Sequence, residues 1–88
     1  MYVICAYDVE EKKCSKYMKI LRKYMFHVQK SVFEGTLTPK QFKTLKEELK
    51  NVKVDSDSII FYVSYNEKQI YKYDINDDEP PDLNIISD

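Results

Sequence analysis

The run YVICAY at residues 2–7 is apolar throughout and mixes β-branched with aromatic side chains, so a strand made from it has no polar side to turn to water. IIFYV at residues 59–63 has the same property. Two such strands in one sheet demand cover on both faces. Helical periodicity occurs in two places. From Lys12 onward, Cys14, Tyr17, Met18, Leu21, Tyr24 and Met25 recur at three- and four-residue steps and form one apolar helical face. The second helix is announced by TLTPKQ: Thr38 suits the N-cap, Pro39 the first helical position, and Gln41 completes a capping box. Phe42, Leu45, Leu49 and Val52 supply its apolar face. Two helices can cover one face of a sheet, and the simplest cover for the other is a second copy of the chain.

Length points the same way. At 88 residues the chain is one small domain near the size at which a single core holds unaided, so burial against a partner subunit helps. FHVQKSVFEG at residues 26–35 reads as a second strand ended by Gly35, the only glycine, at a position expected to need positive φ. DSIIFYVSY is a third strand, and QIYKYDI a short fourth after the turn signal Asn66-Glu67-Lys68. The fold class predicted is α+β, a ferredoxin-like βαββαβ sandwich with an antiparallel sheet and both helices on one face. Residues 1–76 form that domain. Residues 77–88 form an acidic tail; NDDEPPD, at 76–82, acts as a hinge, and LNII, at 83–86, as a short C-terminal strand delivered to a sheet edge, the partner's in a dimer. Leu83 and Ile85 are therefore expected at the dimer interface.

The formal net charge of −1 conceals a division of sign: residues 1–73 carry +5 and residues 74–88 carry −6. Lys12, Lys16, Lys19 and Lys23 lie at i, i+4, i+7 and i+11, which aligns four ammonium groups along the outer side of the first helix. A basic stripe on a basic body suits the phosphates of DNA or RNA, and it also suits plain solvation. No zinc spacing, glycine-rich phosphate loop, Ser-His-Asp pattern or aromatic RNA-binding motif is present, so those functional classes have no support. Cys5 and Cys14 have neither C-x-x-C spacing nor partners for a disulfide framework and read as buried free thiols. IIFYV is far too short to span a bilayer, and the expectation is a soluble, cytoplasmic protein with no membrane association.

Asp8 stands where the first strand meets the charged segment VEEKK. A strand end is rigid yet reachable, so Asp8 is either a residue that starts the helix or a functional site.

YVICAYDV, the basic helix KYMKILRKYMF and above all VQKSVFEGTLT resemble the small CRISPR-associated protein 2 family, whose pattern Q-x-S-V-F-E-G-x-L the last stretch matches. The resemblance runs from Tyr2 through the third strand. It implies a two-fold homodimer built by sheet-on-sheet contact, with Asp8 of each chain facing its mate. It further implies a role in spacer acquisition, bridging dimers of the CRISPR integrase (CRISPR-associated protein 1), and metal-dependent endonuclease activity on single-stranded RNA or double-stranded DNA in some members. Asp8 would then be catalytic and would hold Mg2+ or Mn2+, which take oxygen ligands and often only one or two carboxylates. Ser31, on the neighbouring strand, would bond a phosphate oxygen, and Phe33 would pack at the dimer seam. His27 is the chain's one histidine, with a structural role as its plain reading. Where the family commonly carries arginines, this chain offers Lys12, Lys13, Lys16 and His27, which lack the bidentate fork. Two alternatives stand beside the nuclease: a non-catalytic DNA-binding scaffold for the integrase, and a ribonuclease toxin of the VapD-like group, which shares the fold and a strand-end Asp.

Overall fold

A computed structural model describes residues 1–66 and 68–77. Its elements follow in the order β1 (Tyr2–Asp8), α1 (Glu11–Leu21), β2 (Phe26–Gln29), β3 (Val32–Thr36), α2 (Pro39–Val52), β4 (Ser58–Asn66) and β5 (Gln69–Asp74). The strands form one antiparallel sheet in the order β2-β3-β1-β4-β5, so the two all-apolar runs lie side by side at its centre. The first βαββαβ of the chain has the ferredoxin-like arrangement, and β5 extends the sheet beyond β4.

Both helices cover one face. Val3, Cys5 and Tyr7 of β1, Phe33 of β3, and Ile59, Phe61 and Val63 of β4 are buried there beneath Tyr17 and Leu21 of α1 and Phe42, Leu45 and Leu49 of α2. Phe42 meets Phe61 edge to face at 5.1 Å, the geometry that ring quadrupoles favour. Each fully buried side chain of this size contributes about 1.5–3 kcal/mol relative to exposure. The capping box of α2 is formed in full: the Gln41 N–H donates to Thr38 Oγ1 at 3.1 Å and the Thr38 N–H to Gln41 Oε1 at 2.9 Å.

The alternate side chains of the central strands are only half-buried in the single chain. Ala6 lies between Val32 and Ile60, and Ile4 between Glu34 and Tyr62, which makes a largely apolar patch on the face without helices. The acid in this patch, Glu34, already receives the Tyr2 hydroxyl.

Three expectations are corrected. Residues 26–35 are a hairpin rather than one strand, because the chain turns at Lys30 and Ser31 and Lys30 takes φ 32°. Gly35 has no positive φ; it continues β3, and a Cβ there would come within 3.2 Å of Met25 Cα and 3.3 Å of the Tyr24 carbonyl oxygen, so close approach is what requires glycine. The helix α1 ends at Leu21, leaving Tyr24 and Met25 to pack from the turn that follows it. Cys5 and Cys14 are free thiols; Cys5 is buried, which pushes its pKa up to about 12, and Cys14 is half-buried.

Candidate functional site

Asp8 closes β1 opposite Ser58 of β4, with its side chain exposed. On the other side of β1, the Tyr7 N–H donates to the Ser31 carbonyl at 3.0 Å and brings the β2–β3 turn against the same strand end. The N-cap of α1 is Glu10, which makes no side-chain capping bond, and the Asp8 carboxylate has no hydrogen bond or ion pair among the described residues. The helix-start reading of Asp8 therefore loses its basis. What anchors this strand end is the preceding residue. The Tyr7 ring turns inward, stacks on Tyr17 at 5.7 Å and tilts against Phe33 at 6.3 Å, and burial raises its phenol pKa, with Cys14 and Cys5 adding to the effect and Arg22 and Ser31 opposing it.

Ser31 belongs to the turn between β2 and β3, not to a strand interior, yet its backbone bond to Tyr7 sets it beside the Asp8 end of β1. Phe33 does not stand at the sheet's open face. It is fully buried on the helix side, between Tyr7 and His27, and has no surface left for a partner, because the β1–β3 register sets it opposite the inward-facing Cys5. His27 lies over Phe33 with ring centroids 4.7 Å apart, and its Nε2 bonds the Lys30 carbonyl oxygen at 2.6 Å.

The four lysines of the stripe are all exposed, but they are not equivalent. Lys16 and Lys19 have no ion-pair partner among the described residues, and Lys12 makes a loose contact with Glu10 at 3.5 Å. Lys23, past the end of α1, pairs with Glu48 of α2, which also receives the Tyr24 hydroxyl; these bonds hold the Glu48 carboxyl below its ordinary range. Its charge is committed to joining the helices.

A second group escaped the sequence reading. Asp57 is buried just before β4, and its Oδ2 accepts from Lys13 Nζ at 2.6 Å, from the Tyr17 hydroxyl at 2.7 Å and from the Val54 N–H at 3.2 Å. Burial pushes the Asp57 pKa up, but the bonds from Lys13, Tyr17 and Val54 outweigh it and hold the carboxyl at about 2. Lys13 is thus withdrawn from the basic surface. The one available signal was the turn-forming stretch DSDS; nothing in it shows which Asp faces inward.

A family model described as CRISPR associated protein Cas2 matches residues 1–72. The chain belongs to the Cas2 family. It is 41% identical over 87 residues to the CRISPR-associated endoribonuclease Cas2 of Methanosarcina acetivorans, covering 98% of this chain and 100% of that one. The protein of the same name from Thermotoga maritima is 46% identical over 69 residues, covering 77% and 79% respectively. Among solved structures, a crystal structure of Cas2 superposes with a TM-score of 0.69 at 32% identity, covering 91% of this chain and 95% of that one. Streptococcus pyogenes Cas2, crystallised at pH 6.5, gives 0.68 at 34% identity, with 73% of this chain and 86% of that one covered.

In this Cas2-family chain no group of three His, Cys, Asp or Glu side chains converges among the described residues. A single chain therefore offers one free carboxylate at the strand end. A hard cation such as Mg2+ keeps several waters and is commonly held by one or two carboxylates, so the oxygen donors of Asp8 are of the kind that suits it. Leu83 and Ile85, expected at the dimer interface, lie outside the described residues. No helix among the described residues is long and apolar enough to cross a membrane.

Proposed function

We propose that the chain acts as a homodimeric, metal-dependent endonuclease of the Cas2 family and serves spacer acquisition in the cytoplasm alongside the CRISPR integrase. The observation that carries this reading is the state of Asp8: an exposed carboxylate, unpaired among the described residues, fixed at a strand end beside an apolar sheet face that the chain's own helices leave open. Joining two copies through that face buries Ile4, Ala6, Val32, Ile60 and Tyr62 and sets the two strand ends near a common axis. Relatives named as endoribonucleases favour RNA as the substrate. Bound between the Asp8 pair, Mg2+ or Mn2+ would supply a more acidic water and charge stabilisation at a phosphate oxygen. The chain's own contributions are the carboxylates carried on anchored strand ends, the Ser31 turn beside them as a candidate phosphate contact, and the exposed Lys12, Lys16 and Lys19, which draw the polyanion in.

Cleavage of matched single- and double-stranded RNA and DNA across a Mg2+ and Mn2+ titration tests the reading, with mass measured by light scattering on the same sample. A dimer that cuts only with metal is expected. A dimer that cuts nothing but still supports integrase-dependent spacer insertion would favour the scaffold reading instead. The basic α1 surface is the observation that keeps that reading in view.

A further inference from the structure

Lys30 is the only residue among the described residues with positive φ, at 32°. Glycine or asparagine takes this conformation at lower cost, so a lysine there is a strained choice that the fold holds in place. The holding groups are visible. His27 is stacked on the buried Phe33 ring, and its Nε2 donates to the Lys30 carbonyl at 2.6 Å, while the next carbonyl, that of Ser31, receives the Tyr7 N–H at 3.0 Å. The β1–β3 register, which pairs Ala6 with Val32, carries on through that bond and brings the Lys30 turn to the level of Asp8. The side chain of Lys30 is exposed and has no carboxylate partner among the described residues, Asp8 included, whereas Lys12, Lys13 and Lys23 each have one.

We propose that Lys30 is a nucleic-acid phosphate contact of the Asp8 site, presented by the strained β2–β3 turn that His27 clamps. The inference rests on the nuclease reading of Asp8. An ammonium group beside the strand end neutralises the backbone phosphate next to the one being cut, without reading any base.

The test measures binding of a labelled single-stranded RNA to the full-length protein as a function of KCl, with EDTA present so that nothing is cut. Lys30→Gly should melt at or above the wild-type temperature, because the turn is relaxed, and yet bind more weakly. Its log-log salt slope should be shallower by about 0.7 for each phosphate no longer neutralised. Lys30→Arg should retain the slope, and His27→Ala should lose it in part. Wild-type affinity and slope in Lys30→Gly would overturn the inference, and unaltered binding by His27→Ala would remove the clamp from it. The nuclease reading is judged separately, by cleavage in Asp8→Asn. If that variant cuts at the wild-type rate while Lys30→Gly loses affinity, the Asp8 assignment falls and the Lys30 contact stands as a binding residue only. A wild-type protein that binds no RNA overturns both.

Discussion

Tyr17 and Asp57, forty positions apart in sequence, meet inside the domain, where the tyrosine hydroxyl donates to Asp57 Oδ2 at 2.7 Å. Lys13 reaches the same oxygen, so the start of α1 is tied to the turn that leads into β4. The Tyr17 ring also stacks on Tyr7, the residue before Asp8, and the buried network thereby supports the strand end. Tyr17→Phe keeps the stack and removes the bond to a charged acceptor, a loss of about 1.5–3 kcal/mol. Urea denaturation should show a lower midpoint with an unchanged slope.

Asp57 also sets a pH dependence. Its folded pKa of about 2 lies below the ordinary value of 3.8, so the stabilisation is fully present above about pH 4 and is lost as pH falls toward 2. Thermal melts between pH 7 and pH 2 should fall steeply in that acid window for the wild type. Asp57→Asn should start lower at pH 7 and decline less across it.

Helix α2 was legible because Thr38, Pro39 and Gln41 are local devices whose bonds depend only on neighbours in sequence, and the structure contains both capping bonds. The central strands were legible because apolar runs on both faces have few other uses. The β2–β3 hairpin was not, since its positive-φ residue is Lys30, where a sequence reading looks for Gly, Asn or Asp. Phe33, expected at the seam, lies in the core instead, because β3 pairs it with the buried Cys5 of β1. Asp8 stood out from its position, but that it does not cap α1 is a fact of three dimensions. The inward turn of Asp57, between the exposed Ser56 and Ser58, is another.

Gly35 gives a prediction of opposite character to that of Lys30. Its φ is ordinary, so Gly35→Ala costs nothing in backbone strain, but the new methyl meets Met25 and the Tyr24 carbonyl at 3.2–3.3 Å. Two of those atoms belong to backbone and cannot swing away. A loss of about 1–3 kcal/mol is expected, as for other overpacked sites, read as a lower urea midpoint.

The open face should respond to charge. Ile60→Asp places a carboxylate in the half-buried row that also holds Ala6 and Val32, away from the helices, so the monomer's core is untouched. Sedimentation at micromolar concentration should then show a monomer that still melts cooperatively. A stable dimer in that variant would put the interface elsewhere.

Among the lysines, position decides the role. Changing Lys12, Lys16 and Lys19 together to Gln should make the salt slope for duplex DNA shallower by up to about 0.9 for each phosphate left without its ammonium partner. Lys23→Gln should change the slope little and stability more, since its partner Glu48 joins the two helices.

Asp8 carries the nuclease reading, and the most direct measurement is metal-stimulated cleavage of single-stranded RNA by Asp8→Asn beside the wild type, with dimer mass and melting temperature recorded on the same samples. Asn keeps the size and polarity of the side chain while removing one charge from each strand end, and Asp8 makes no bond within the described chain whose loss would unfold it. The prediction is an intact dimer with wild-type stability and no metal-stimulated cleavage. Cleavage by Asp8→Asn at the wild-type rate would contradict it.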